Sequence, residues 1–211
     1  MSKEIAFILA NISSLIGLAP SLLAFINIKN TTRDYRLLSV LIWIGTTIAL
    51  LARFIGAFLH QPNLFLLHIY TIFDFILLTL IFKPVLSYNL TRFLIIGFSI
   101  FATINSVFFE HLKTENVLNR SLSALILMFY ALSFFTKTLR EMKIMNLEKE
   151  PLFWVSLGVL FYNAASFFIF LFSHYLTANR DLWFTYFGIH AIFTILLYIC
   201  YTVALWVHPK Q

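Results

Sequence analysis

Apolar stretches of bilayer-crossing length follow one another along this chain, with only short polar joints between them. About 20 predominantly apolar residues cross a hydrocarbon layer as one helix. On that measure, spans are expected at residues 5–28, 37–59, 64–82, 93–109, 121–135, 152–175 and 182–207. Backbone N–H and C=O groups cannot go unpaired in lipid, so segments of this kind cross as helices. The expected fold class is therefore an all-α integral membrane protein, a single seven-helix domain over residues 1–211. Hydrophobic residues make up 61% of the chain and charged residues 11%, against about 25% charged in a soluble domain. Too little polar chain remains to make a water-facing shell. The fifth stretch is the shortest and is expected to continue at both ends through polar residues.

The joints at 29–36, 60–63, 83–92, 110–120, 136–151 and 176–181 leave no room for a folded extramembrane domain. Function is thus expected inside the bundle or at its rims. Pro62, Pro84 and Pro151 fall in joints, where a missing N–H costs little. Pro20 falls inside the first span and is expected to kink it. The single cysteine, Cys200, excludes a disulfide within the chain.

Charge placement sets an expected orientation. Lys3 before the first apolar run resembles a signal peptide's start, but the run is long and Lys29, Arg33 and Arg36 follow it, the mark of an anchor with its N-terminus outside. On alternate sides of seven spans, Lys3, Lys113, Arg120 and Arg180 face one way. Lys29, Arg33, Arg36, Lys83, Arg92, Lys137, Arg140, Lys143, Lys149 and Lys210 face the other. The second group marks the cytoplasm and places the C-terminus there. The net charge of +6 then reads as topology signal and lipid-headgroup contact, and no nucleic-acid partner is expected. Trp183, Tyr186 and Trp206 sit at interfacial depths of the last helix. The glycosylation-like triplets at Asn11, Asn30, Asn89 and Asn119 are all read as chance matches, the first falling within a span and the second and third on the cytoplasmic side.

A charged side chain at mid-helix costs roughly 2.5–3.5 kcal/mol on insertion scales, so one that persists calls for a partner or a wet cavity. Arg53 and Asp74 are the two such residues. They lie about 9 Å and 15 Å from the same end of adjacent helices. An Arg53–Asp74 ion pair is expected, serving either the fold or a function. Arg53, Gly56 and His60 share a face with Thr46; Tyr70 is a helical neighbour of Asp74, whereas His68 points about 120° away. Trp183, Tyr186, His190, Thr194 and Tyr201 form one polar seam, and Ser156, Asn163, Ser166 and His174 another.

With the orientation above, His60, His68, Glu110, Asn119, Arg120, His174, Tyr186 and His190 gather in the outer half, above an almost wholly apolar inner half. This gradient suggests a cavity open to the outside and floored near Asp74 and Asn163. The candidate pocket residues are Arg53, His68, Tyr70, Asp74, Asn163, Tyr186 and His190. No catalytic set, metal or cofactor is assigned.

Several chemistries can be weighed. A retinal protein needs a Schiff-base lysine in the last helix, and none occurs between Asp181 and Pro209. An intramembrane zinc hydrolase needs three histidines and a carboxylate at one depth; His60, His68, His174, His190 and Asp74 supply the residue types but no HxxxH or HExxH spacing. A lysoplasmalogenase-like hydrolase would carry more than the one deep carboxylate. A three-plus-one-plus-three sugar transporter would repeat Pro20 in the fifth helix, which has no proline.

His68-Ile-Tyr-Thr-Ile-Phe-Asp74, Pro151-Leu-Phe-Trp154 with Tyr162-Asn163, and Gly188-Ile-His190 are spread over nearly the whole chain. In these features the chain resembles uncharacterised seven-helix bacterial membrane proteins, similar in layout to the membrane-embedded sensor parts of some histidine kinases. The resemblance implies a bacterial inner membrane and a sensor- or receptor-like role. Expected partners are membrane lipid, a small or amphiphilic ligand in the pocket, and a cytoplasmic protein meeting the loop at 136–151. Lipid hydrolysis and small-solute transport stand as alternatives.

Overall fold

The computed structural model describes residues 2–27, 32–112, 114–141, 146–172 and 180–207. The described residues form helices and turns and no strand. The helices are α1 (Lys3–Leu15), α2 (Leu18–Ile26), α3 (Arg33–Phe58), α4 (Phe65–Ile81), α5 (Tyr88–Phe108), α6 (Val117–Glu141), α7 (Pro151–Leu171) and α8 (Arg180–Val207), with a 3₁₀ turn at Leu147–Lys149. Taking α1 and α2 as one span, six segments are long and apolar enough to cross a membrane, and α4 is a shorter apolar helix of 17 residues. The chain is a multi-pass integral membrane protein.

The break between α1 and α2 follows from Pro20. Proline has no N–H to give the carbonyl four residues earlier and its ring crowds that carbonyl. Here that carbonyl belongs to Ile16, and it accepts instead from the N–H of Ala19 at 3.4 Å. The interruption therefore falls at Ile16–Gly17, a turn ahead of the proline itself. Gly17 makes the bend compact: a Cβ there would collide with Thr46 Oγ1 and crowd the Tyr198 ring.

The helices close into a ring. The α1–α2 span packs on α3, α3 on α4, α4 on α6, α6 on α7, α7 on α8, and α8 back on α1 and α2. Helix α5 stands outside this ring, touching α4 and α6. Its outward stripe, Phe93, Ile96, Ile100 and Ile104, is exposed at helical spacing, the reverse of a soluble amphipathic helix. Phe7, Phe25, Phe93, Phe129, Phe168 and Trp206 are each 60–77% exposed. Water would make such a surface insoluble; lipid is its natural solvent.

The interior is aromatic and aliphatic at one end of the bundle, around Leu41, Ile42, Phe75, Leu78, Phe82, Leu127 and Tyr130. Phe75 stacks on Phe98 with ring centroids 3.9 Å apart, fastening α5 to α4. Where close approach is needed, glycine supplies it: a Cβ on Gly158 would lie 2.8 Å from Cys200 Cβ, and one on Gly45 2.9 Å from the Tyr198 hydroxyl. This half is less apolar than the sequence pattern suggests, because Ser39, Thr79, Thr91 and Ser156 are buried in it. Ser39 and Thr91 donate to the carbonyls of Tyr35 and Ser87 in or next to their own helices, which is how hydroxyls enter an apolar interior at low cost.

Most helices begin earlier than their apolar stretches, α3, α5 and α6 by a turn or more. Helix α5 starts at Tyr88, capped by the Ser87 hydroxyl accepting from Leu90 N–H at 3.4 Å. Helix α6 extends well beyond 121–135 at both ends. Its C-terminal extension takes Thr136–Glu141 out of the supposed loop at 136–151. That connection is thus shorter than expected, and residues 142–145 of it lie outside the described set.

Candidate functional site

The starts of α4, α6 and α8 and the end of α7 meet at one end of the bundle, so their first and last turns face a common space. There, Leu64, Leu67, Glu115, Asn116, Val117, Arg120, Ile169, Phe170, Trp183, Tyr186, Phe187 and His190 line a cavity of about 320 Å³. Its walls are mainly aliphatic and aromatic, with a few polar groups among them. Deeper along the same axis, Tyr70, Thr71, Asp74, Ser123, Tyr162 and Asn163 line a second chamber of about 20 Å³, walled also by Arg120 and Phe170. Arg120 and Phe170 thus belong to both spaces.

Arg120 is held in that position from two sides. Its Cζ lies 3.7 Å from the centroid of the Phe170 ring, a close cation–π contact. Its Nη2 donates to the Tyr162 hydroxyl at 3.3 Å. Tyr162 also packs against His190 with ring centroids 5.4 Å apart, and Phe170 does so at 5.9 Å. His190 Nδ1 and Ser166 Oγ are 3.1 Å apart, tying α8 to α7. Asp74 accepts from the Tyr70 hydroxyl at 3.1 Å. Asn163 donates one amide N–H to Val159 O of its own helix at 2.8 Å, which leaves its second N–H and its carbonyl oxygen for the chamber.

The expected Arg53–Asp74 pair does not form. Arg53 is exposed and its Nη1 donates to Ser14 Oγ on α1 at 2.9 Å. The stripe from Thr46 to Arg53 exists, but it faces the first span: Thr46 Oγ1 accepts from Ser21 of α2 at 3.1 Å. Adjacent helices share a seam, yet which stripe lies in that seam is set by all their neighbours, and α3 has α1, α2 and α4 to satisfy. Arg120 takes the place expected of Arg53, near Asp74 but not in hydrogen-bonding contact with it.

His68 is fully buried and lies in a different cluster. Its Nδ1 is 2.7 Å from Ser106 Oγ and its Nε2 3.3 Å from Thr114 O. Asn119 donates to the same Ser106 oxygen at 3.1 Å and to Ala102 O at 3.3 Å, and Asn116 donates to Thr71 Oγ1 at 3.0 Å. Glu110 completes this plug: one carboxylate oxygen accepts from Asn105 at 2.7 Å and the other from Leu118 N–H at 2.8 Å. A carboxylate on the unpaired amides of the first turn of α6 is a favourable helix cap. These groups pin α4, α5 and the start of α6 together, a structural use of polarity.

The candidate residues therefore divide three ways. Tyr70, Asp74 and Asn163 share the small chamber, Tyr186 and His190 the larger cavity, and His68 and Arg53 neither. His174 lies outside the described residues. Among the described residues, no three His, Cys, Asp or Glu side chains come together in a way that could hold a metal ion. Arg120, expected in the outer half but not among the pocket candidates, lines both spaces, as does Phe170, and Tyr162 joins them at the small chamber. A signal for Arg120 existed: Asn116, Asn119, Arg120 and Ser123 follow helical spacing, a polar stripe that starts the helix before its apolar run. No protein-family model, curated protein or solved structure matches the chain.

Proposed function

We propose that the chain crosses a bacterial inner membrane seven times, with its N-terminus outside and its C-terminus in the cytoplasm, and that the larger cavity opens outward and binds a small or amphiphilic ligand in a sensor- or receptor-like role. The observation that carries this reading is the cavity itself. Its volume of about 320 Å³ falls within the usual range for small-molecule sites, about 300–1,000 Å³, and it has their usual lining, apolar walls with few polar groups. Helix α4 is the shortest crossing. Its 17 residues rise about 26 Å, and the apolar Leu64 and Phe82 at its ends extend that length.

The excess of basic residues at the opposite end supports the orientation. That end also carries the surface for a cytoplasmic protein partner: the last turns of α6 and the start of α7, where Lys137, Glu141 and Glu150 border a cleft of about 210 Å³. The resemblance in layout to histidine-kinase sensor regions favours ligand reception with an output through this face. The zinc-hydrolase alternative has no ligand set among the described residues. Solute transport would need a second mouth, and the half beyond Asp74 is closed by packed side chains such as Phe75, Phe82 and Leu127.

Two measurements test the proposal. In a Cys200→Ala background, Phe187→Cys should react with a membrane-impermeant maleimide on intact cells, and Glu148→Cys only after permeabilisation; the reverse pattern overturns the orientation. Protein taken directly from membranes should carry a small-molecule adduct in native mass spectrometry that Leu67→Trp, which fills the cavity, removes. Identical spectra for the two proteins would end the ligand-binding reading.

A further inference from the structure

Resting on that reading of the cavity, the geometry points to the ligand's chemistry: an amphiphile with one anionic head, a carboxylate or a phosphate, held by Arg120 while its hydrocarbon lies against Leu64, Leu67, Trp183 and Phe187. Guanidinium carries five N–H donors in one plane. Among the described contacts of Arg120, one donor goes to the Tyr162 hydroxyl at 3.3 Å, and the flat face is covered by Phe170. The edge of the plane is left for the cavity that Arg120 lines. A cation kept between apolar walls is costly without a countercharge. The fork of an arginine edge fits a carboxylate or phosphate through two parallel hydrogen bonds, which a flexible ammonium does not reproduce.

No carboxylate is among the described hydrogen-bond partners of Arg120. On α4, Asp74 shares the small chamber with Arg120 as a nearby negative charge, but it accepts from Tyr70 and lies away from the larger cavity. On α8, His190 is engaged at Nδ1 with Ser166, leaving Nε2 as a second donor or acceptor for the head. Glu115, partly exposed two residues ahead of α6, lines the same cavity, and contact with water and salt screens its repulsion of the head. The hydrocarbon part of such a ligand gains little by leaving one apolar surroundings for another. Discrimination must then come from the head, and Arg120 is the permanent cation among the cavity's described lining residues.

The test uses the full chain in nanodiscs of zwitterionic lipid, with equilibrium binding of octanoate, octanol and octylamine corrected for empty nanodiscs. Octanoate should bind at least tenfold more tightly than the other two. Arg120→Gln should weaken octanoate about tenfold or more and leave octanol unchanged, which also shows that the variant is folded. Arg120→Lys, with the charge but not the fork, should fall between, and Glu115→Gln should tighten octanoate about twofold. Equal binding of the three probes, or an Arg120→Gln variant that keeps wild-type octanoate affinity, overturns the anionic ligand while leaving the cavity reading intact. If none of the probes binds, both readings fall. Repeating the assay with phosphatidylglycerol in the nanodisc identifies the source: lost octanoate binding assigns the site to a lipid headgroup, and unchanged binding to a water-borne anion.

Discussion

Gly158→Ala should destabilise the protein although alanine is the better helix former. The added Cβ would lie 2.8 Å from Cys200 Cβ and 3.1 Å from Leu197 Cδ1. Leu197 can rotate a methyl away, but Cys200 Cβ is fixed to its backbone, so α7 and α8 must separate. Restoring ordinary contact requires roughly 0.6–1 Å, and a radial gap of that size forfeits a quarter to a half of each dispersion contact along the seam. Overpacking of this kind costs about 1–3 kcal/mol, against a helix-propensity gain of about 1 kcal/mol for replacing glycine. The expected net loss is up to about 2 kcal/mol, measured by reversible unfolding in mixed micelles. The clashing atom sets the control: Cys200→Ala keeps the Cβ and should not rescue, whereas Cys200→Gly should recover most of the coupling in a double-mutant cycle. Unchanged stability for Gly158→Ala, or full rescue by Cys200→Ala, would refute this account of the α7–α8 contact.

His68→Ala should lower unfolding free energy by about 2–4 kcal/mol, since it removes one partner of Ser106 and one of the Thr114 carbonyl and opens a cavity; a loss below that of His190→Ala would contradict the assignment of His68 to the structural plug. Arg53→Gln should change stability by less than about 1 kcal/mol, because its contact to Ser14 is exposed; a loss of several kcal/mol would restore the ion pair with Asp74. Glu110→Ala should destabilise by about 1–2 kcal/mol through the unmet Leu118 amide, and amide hydrogen exchange should rise first in the opening turn of α6. Glu110→Gln, which keeps an oxygen to accept from that amide, should lose less.

Hydrophobic length carried the helical fold and the approximate places of the helices, because lipid imposes one solution on an apolar segment of that length. The same signal failed at ends where polar residues continue a helix. Residues 117–120 look like loop by hydropathy, yet they form the first turn of α6 and bring Arg120 to the cavity. The polar cluster near one end was visible from residue depth alone. Its division into a plug, a chamber and a cavity was not, because depth along a helix does not state which neighbour a face meets. Arg53 shows this directly: its depth matches Asp74, but its stripe belongs to the first span. The bend at Pro20 was legible as a kink. Its displacement to Ile16–Gly17 becomes evident once the acceptor that proline abandons is counted.

The seam between α1 and α8 joins the first and last helices of the ring. During synthesis, α1, α2 and α3 enter the bilayer long before their partner is made. Tyr198, which packs at Gly17 and Gly45, is among the late arrivals. Until then the surfaces at Gly17 and Gly45 that Tyr198 covers lack that partner, so the ring closes only once α8 is in place.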